Sequence, residues 1–79
     1  MTWNYRVMKS YPDSRDAWYS IREVYYNNDG EVTGWTVEEI APESETIEGV
    51  LEMIQLMRNC LDKPILDEAE LQARIQLEL

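Results

Sequence analysis

Carboxylates are the only potentially reactive side chains that this sequence holds in quantity. It has 16 Asp and Glu against 7 Lys and Arg, no His, and one cysteine, Cys60. Without His, the commonest general base and the commonest zinc ligand are missing together, and nucleophilic triads in their usual form are excluded. Cys60 has no cationic neighbour except Arg58, so it reads as a small core hydrophobe and not as a nucleophile. Glu38-Glu39 and the pair Glu48 and Glu52 bring carboxylates together, yet an exposed strand end and a wet helix face account for them without acid–base work. Asn27-Asn28-Asp29-Gly30-Glu31 superficially suggests a calcium loop. With Gly30 in the glycine position, however, Tyr25 and Thr36 fall where the first and last carboxylate ligands belong. Gly30, Gly34 and Gly49 are too scattered for a phosphate-binding loop. The expectation is a protein that is not an enzyme and uses no metal and no cofactor.

The distribution of charge says more than its net value of -9. Residues 1–22 carry Arg6, Lys9, Arg15 and Arg22 against Asp13 and Asp16, and residues 58–79 are only mildly acidic. Between Arg22 and Arg58 there is no Lys or Arg, while Glu23, Asp29, Glu31, Glu38, Glu39, Glu43, Glu45, Glu48 and Glu52 lie there. Such a field repels nucleic acid and anionic membranes and attracts basic protein surfaces. Direct nucleic-acid binding and membrane binding are therefore disfavoured.

The elements that must display this band are organised around residues 18–37. Two runs rich in aromatic and β-branched residues, Trp18 to Tyr26 and Val32 to Val37, flank the turn cluster Asn27 to Gly30, which predicts a β-hairpin. Trp3, Tyr5 and Val7 alternate with polar residues in an earlier strand, ended by the Pro-containing segment from Ser10 to Asp16. In the middle strand neither face is cleanly polar, which predicts either a β-bulge near Arg22 and Glu23 or cover on both faces. A long helix follows, capped by Ser44 or Thr46 and stopped by Lys63-Pro64. Ile47, Val50, Leu51, Ile54, Met57 and Leu61 are expected to make its buried stripe, and Met53, Leu56 and Cys60 widen it, so that it touches the sheet and also either the carboxy-terminal tail or another subunit. Gly49 inside that helix points to a close contact. Ile65-Leu66 is expected to dock on the core, and Asp67 caps a short second helix with Leu71, Ile75 and Leu79 along one side.

Seventy-nine residues make one domain, with a core expected over 2–66 and a helical extension over 67–79. At this size folding hides only roughly 60–65% of the unfolded surface, so the core is thin. Trp and Tyr take the place of the absent Phe. The lone cysteine, the absence of a secretory pattern at the start and the lack of a long apolar run predict a soluble, cytoplasmic protein. The predicted fold class is α+β: a three-stranded antiparallel meander packed against one long helix, then a short helix or ordered tail.

Trp3-x-Tyr5-Arg6-Val7, Tyr19-x-Ile21-x-Glu23-Val24-Tyr25-Tyr26, Gly34-Trp35 and Lys63-Pro64-Ile65-Leu66-Asp67-Glu68 resemble a group of small bacterial proteins of uncharacterised function. The likeness covers about residues 3–68. Members of that group often carry His where this chain has Arg22, and many end near the pair equivalent to Asp67-Glu68, so residues 69–79 would be an extension. No site transfers from the resemblance. The order of three strands and a helix is also similar to the amino-terminal region of HicB-type antitoxins, in layout only.

The functional expectation is an acidic protein-interaction module that engages a basic surface on another protein, as an inhibitor or nucleic-acid mimic of the kind phages use against host defence. Glu38, Glu39, Glu43, Glu45, Glu48 and Glu52 are the residues of first interest, with Tyr25, Tyr26 and Trp35 as ring anchors. The alternative is an antitoxin-like or regulatory homo-oligomer, a homodimer in the simplest case, assembled through Leu71, Ile75 and Leu79. The plainest alternative is a small bacterial protein whose charges serve only solvation.

Overall fold

A computed structural model describes residues 2–14 and 16–78. The order of elements is β1 (Thr2–Ser10), a 3-10 turn (Pro12–Ser14), β2 (Trp18–Tyr26), β3 (Val32–Trp35), α1 (Ile47–Asn59), a 3-10 turn (Cys60–Asp62), β4 (Leu66–Asp67) and α2 (Glu68–Glu78). The fold is α+β, with the long helix and the short carboxy-terminal helix both present. The sheet has four strands in the order β3-β2-β1-β4, where the periodicity predicts three. The added strand, β4, pairs in parallel with β1 through Met8↔Leu66 and Lys9↔Asp67, which makes the sheet mixed.

The hairpin forms where turn chemistry places it. Asn27 Oδ1 accepts from the amides of Asp29 and Glu31 at 2.9 and 3.0 Å, and Gly30 takes a φ of 80°, which a side chain would strain. β1 and β2 pair without interruption from Thr2↔Tyr26 to Ser10↔Trp18, so no bulge lies at Arg22 and Glu23 on that side. The irregularity falls instead between Tyr25 and Tyr26, where β2 meets β3.

Residues opposite one another in antiparallel strands share a face. Asn4, Arg6 and Met8 therefore lie with Val24, Arg22 and Ser20, while Trp3, Tyr5 and Val7 lie with Tyr25, Glu23 and Ile21. The core is built on the first face: Met8, Val24 and Leu71 are buried together, with Tyr26, Val32, Trp35 and Leu66 packed around them. Leu71 belongs to α2, so residues beyond 66 complete the core and are not an appendage to it. Arg6 and Arg22 stand directly opposite, a repulsive placement that each resolves by bonding elsewhere. Arg6 Nη1 donates to the Tyr26 hydroxyl at 3.1 Å and Nη2 to the Pro64 carbonyl, tying the segment after α1 to β1.

Thr46 caps α1 by accepting from the Gly49 amide at 3.0 Å. A methyl group on Gly49 would run into the Ser44 side chain, which is the close contact the glycine implies. α1 approaches the sheet from the side of Tyr5: Met53 shares one hollow with Tyr5 and Glu23, and Leu56 and Cys60 share another with Trp3 and Tyr5. Of the stripe expected to be buried, Met57 is buried and Val50 half-buried on α1, whereas Ile47, Leu51, Ile54 and Leu61 are exposed, because the helix meets the sheet through the edge that carries Met53; Cys60 just after it is buried. No helix among the described residues is long and apolar enough to cross a membrane.

Candidate functional site

The acidic segment owes its position to Arg22. Its guanidinium is buried, with 6% of the side chain exposed, and Nη1 donates to the carbonyls of Thr36 and Val37 at 2.9 and 2.8 Å. Nε donates to Ser20 Oγ at 2.9 Å. Thr36 is held from the other side as well, its amide donating to the Glu23 carbonyl at 3.0 Å and its Oγ1 accepting from the Glu23 amide at 3.2 Å. The chain rejoins β2 where the Ile40 amide donates to the Ile21 carbonyl at 2.9 Å. Between these two tethers Val37, Glu38 and Glu39 are exposed. The Glu43 amide donates to Met53 Sδ at 3.4 Å and carries the segment across to α1.

The result is an open groove of about 730 Å³ between the end of the hairpin and α1. Four carboxylates line it, Glu23, Glu38, Glu39 and Glu43, together with Tyr5, Ile40 and Met53. Among the described residues the ion pairs are Arg22 with Glu68 and Arg58 with Asp62, and neither draws a cation onto these four glutamates. The field is felt by the neighbouring phenols. Burial raises the Tyr5 hydroxyl above its ordinary value and Glu23 raises it further; the Tyr25 hydroxyl is raised in the same way and donates to Glu23 Oε2 at 3.3 Å. Among the described residues no three His, Cys, Asp or Glu side chains are arranged to hold a metal ion. The groove thus gathers four carboxylates on one surface with the apolar side chains of Val37, Ile40, Ala41 and Met53.

Three of the six glutamates expected to act together, Glu38, Glu39 and Glu43, meet in this groove. Glu45, Glu48 and Glu52 are exposed on the approach to α1 and on α1 itself, outside its lining. Tyr25 is half-buried beside Glu23. Tyr26 and Trp35, the other expected ring anchors, are half-buried and pack against the core. The Tyr26 hydroxyl donates to Asn4 Oδ1 at 2.8 Å and Trp35 Nε1 donates to Glu68 Oε2 at 2.9 Å. Leu71, expected at an oligomer contact, is buried against its own sheet with Met8 and Val24. Ile75 is half-buried on α2, and Leu79 lies outside the described residues.

Glu23 and Tyr5 were not singled out by the sequence, although Glu23 begins the uninterrupted acidic band. Their pairing, Tyr5↔Glu23, comes from strand register, and that register is what brings Glu23 to the same groove as residues 38–43. Cys60 is buried and its thiol is raised by desolvation, with Arg6 pulling the other way. Comparison with known proteins adds no relative: no family model, curated protein or solved structure matches this chain.

Proposed function

We propose that the protein is a non-enzymatic, acidic interaction module whose groove takes basic side chains of another protein, as an inhibitor or nucleic-acid mimic. The observation that supports this reading is the groove itself. Glu23, Glu38, Glu39 and Glu43 line one concave surface with no described cation paired to them. Exposed carboxylates that serve only solvation have no need of a common wall. Here Arg22 props the backbone under Val37, next to Glu38 and Glu39, at the cost of burying a guanidinium. Glu45, Glu48 and Glu52 extend the anionic field and steer a basic partner toward the groove. We place the protein in the cytoplasm, where a lone buried thiol such as Cys60 stays reduced.

Affinity purification at rising salt tests this reading. A partner retained by the wild-type chain should be lost as ionic strength rises and when Glu38, Glu39 and Glu43 are all changed to Gln. Retention by the neutralised variant would remove the basis of the proposal. A homo-oligomer assembled through α2 is not favoured, since Leu71 is inside the fold.

A further inference from the structure

α1 carries two apolar edges and uses one. Val50, Met53, Met57 and Cys60 turn toward the domain and are buried or half-buried. Ile47, Leu51, Ile54 and Leu61 are 86%, 55%, 46% and 59% exposed. Along α1, Ile47, Leu51, Ile54 and Arg58 stand at intervals of four, three and four, the spacing of a coiled-coil seam, and Leu61 follows in the 3-10 turn after the helix. Three large aliphatic residues in that register, with Leu61 beside them, make a continuous exposed apolar patch of the kind that marks an interaction surface.

We infer that α1 is the interface of a homodimer, in which two copies pair their helices antiparallel through Ile47, Leu51 and Ile54, with Leu61 of the following turn at the edge of the contact. The amount of uncovered surface agrees with that occupant. The chain exposes 6087 Å², whereas a folded monomer of its mass exposes about 5,000 Å². The excess, about 1,100 Å², is more than the roughly 800 Å² per partner that a stable interface removes. The Cα radius of gyration is 13.7 Å, against about 11.6 Å for a compact domain of this length. Buried apolar side chains among the described residues are few, namely Val7, Met8, Val24, Met57, Cys60 and Leu71, so a second copy would supply core that one chain lacks.

Charge fixes the direction. The amino-terminal end of α1 carries Glu48, with Glu43 and Glu45 just before it, and its carboxy-terminal end carries Arg58, with Asp62 and Lys63 just after it. A parallel pair would set the acidic ends against each other, whereas an antiparallel pair sets Arg58 of each copy near the end of the other that carries Glu48. Opposed helix dipoles favour the same choice. Arg58 is available for this: its pairing with Asp62 is long, 3.7 Å, and both side chains are largely exposed. Met53 forms part of the groove wall, so the dimer would carry one groove on either side of the helix pair.

Sedimentation equilibrium of the full chain at high micromolar concentration tests the proposal. The expected mass is twice the 9.4 kDa of one chain. Ile54→Glu should weaken association by roughly 30-fold or more, while Trp18→Ser, an equally exposed aromatic off the helix, should leave the dimer intact. Because Ile54→Glu could also unfold the chain, a charge exchange provides the second arm. Arg58→Glu should weaken the dimer, and adding Glu48→Arg to that variant should restore it. A 9.4 kDa species at that concentration overturns the proposal and leaves the seam to a different protein. A dimer that survives Ile54→Glu overturns it too, and failure of the exchange to restore association overturns the antiparallel arrangement.

Discussion

Trp35 donates its indole Nε1–H to Glu68 Oε2 at 2.9 Å, and that same oxygen lies 3.9 Å from Arg22 Nη1. A residue at the hairpin edge and one in the first turn of α2 are thereby joined over the buried cation that shapes the acidic groove. The carboxylate at 68 thus stabilises both the core and the groove.

Replacing Arg22 should be among the more damaging single changes. Arg22→Met leaves the Thr36 and Val37 carbonyls without their donor and Glu68 without its cation, for a loss of about 3 kcal/mol. Glu68→Gln keeps an acceptor for Trp35 and should lose only about 1 kcal/mol. Urea denaturation of both variants, compared with their double variant, measures the coupling.

Leu71→Ala should cost about 2–5 kcal/mol, because it opens a cavity against Met8 and Val24 in a core with little to spare. Deleting residues 69–79 should consequently unfold the chain and not release a folded monomer. Circular dichroism of the truncated chain decides this, and a folded, cooperatively melting product would contradict the placement of α2.

The Tyr11 hydroxyl donates to Asp67 Oδ2 at 2.7 Å, and the Glu70 amide donates to Oδ1 at 3.2 Å. These bonds, the one from Tyr11 first, hold the Asp67 carboxyl below its ordinary value. A carboxyl depressed in the folded state stabilises fully above its unfolded value, and the contribution fades as pH falls below that value and through the folded one. Tyr11→Phe should raise the Asp67 titration midpoint toward the usual carboxylate range and shrink this acid-side loss. Side-chain carboxyl NMR shifts followed against pH provide the check.

At the start of α1, Thr46→Ala removes the acceptor for the Gly49 amide and should cost about 1 kcal/mol. Gly49→Ala would gain helix propensity in open space, yet here its methyl meets Ser44, so it should destabilise until Ser44 is also changed to Gly. Thermal melts of the two single variants and the Ser44→Gly, Gly49→Ala pair test the contact.

Much of the fold is legible in the sequence where the governing chemistry is local. The turn at Asn27 to Gly30, the α1 cap and the Asp67 cap are each set by residues within four positions of one another; the turn and the Asp67 cap form where the sequence places them, and of the two candidates for the α1 cap, Ser44 and Thr46, it is Thr46. β4 was not legible: it is two residues long, and it pairs Leu66 with Met8 far away in the chain. The wide apolar stripe on α1 was plain, but periodicity does not say which of two edges turns inward, and the edge with Ile47 and Leu51 turned out. Arg22 reads as a surface cation and is buried, since the bent segment after β3 exposes carbonyls that only a long donor reaches. For the groove, the acidic band marked Glu38, Glu39 and Glu43 but not which of its other members would join them. That depended on the strand register at Glu23.

The most direct test of the acidic groove is a two-dimensional 15N NMR titration of the chain with a short arginine-rich peptide. Saturable shifts concentrated at Glu23, Glu38, Glu39, Glu43 and Met53, reversed by added salt, are expected. Shifts spread evenly over exposed carboxylates such as Glu31, Asp62 and Glu70, with residues 36–43 no more affected than the rest, would contradict the proposal.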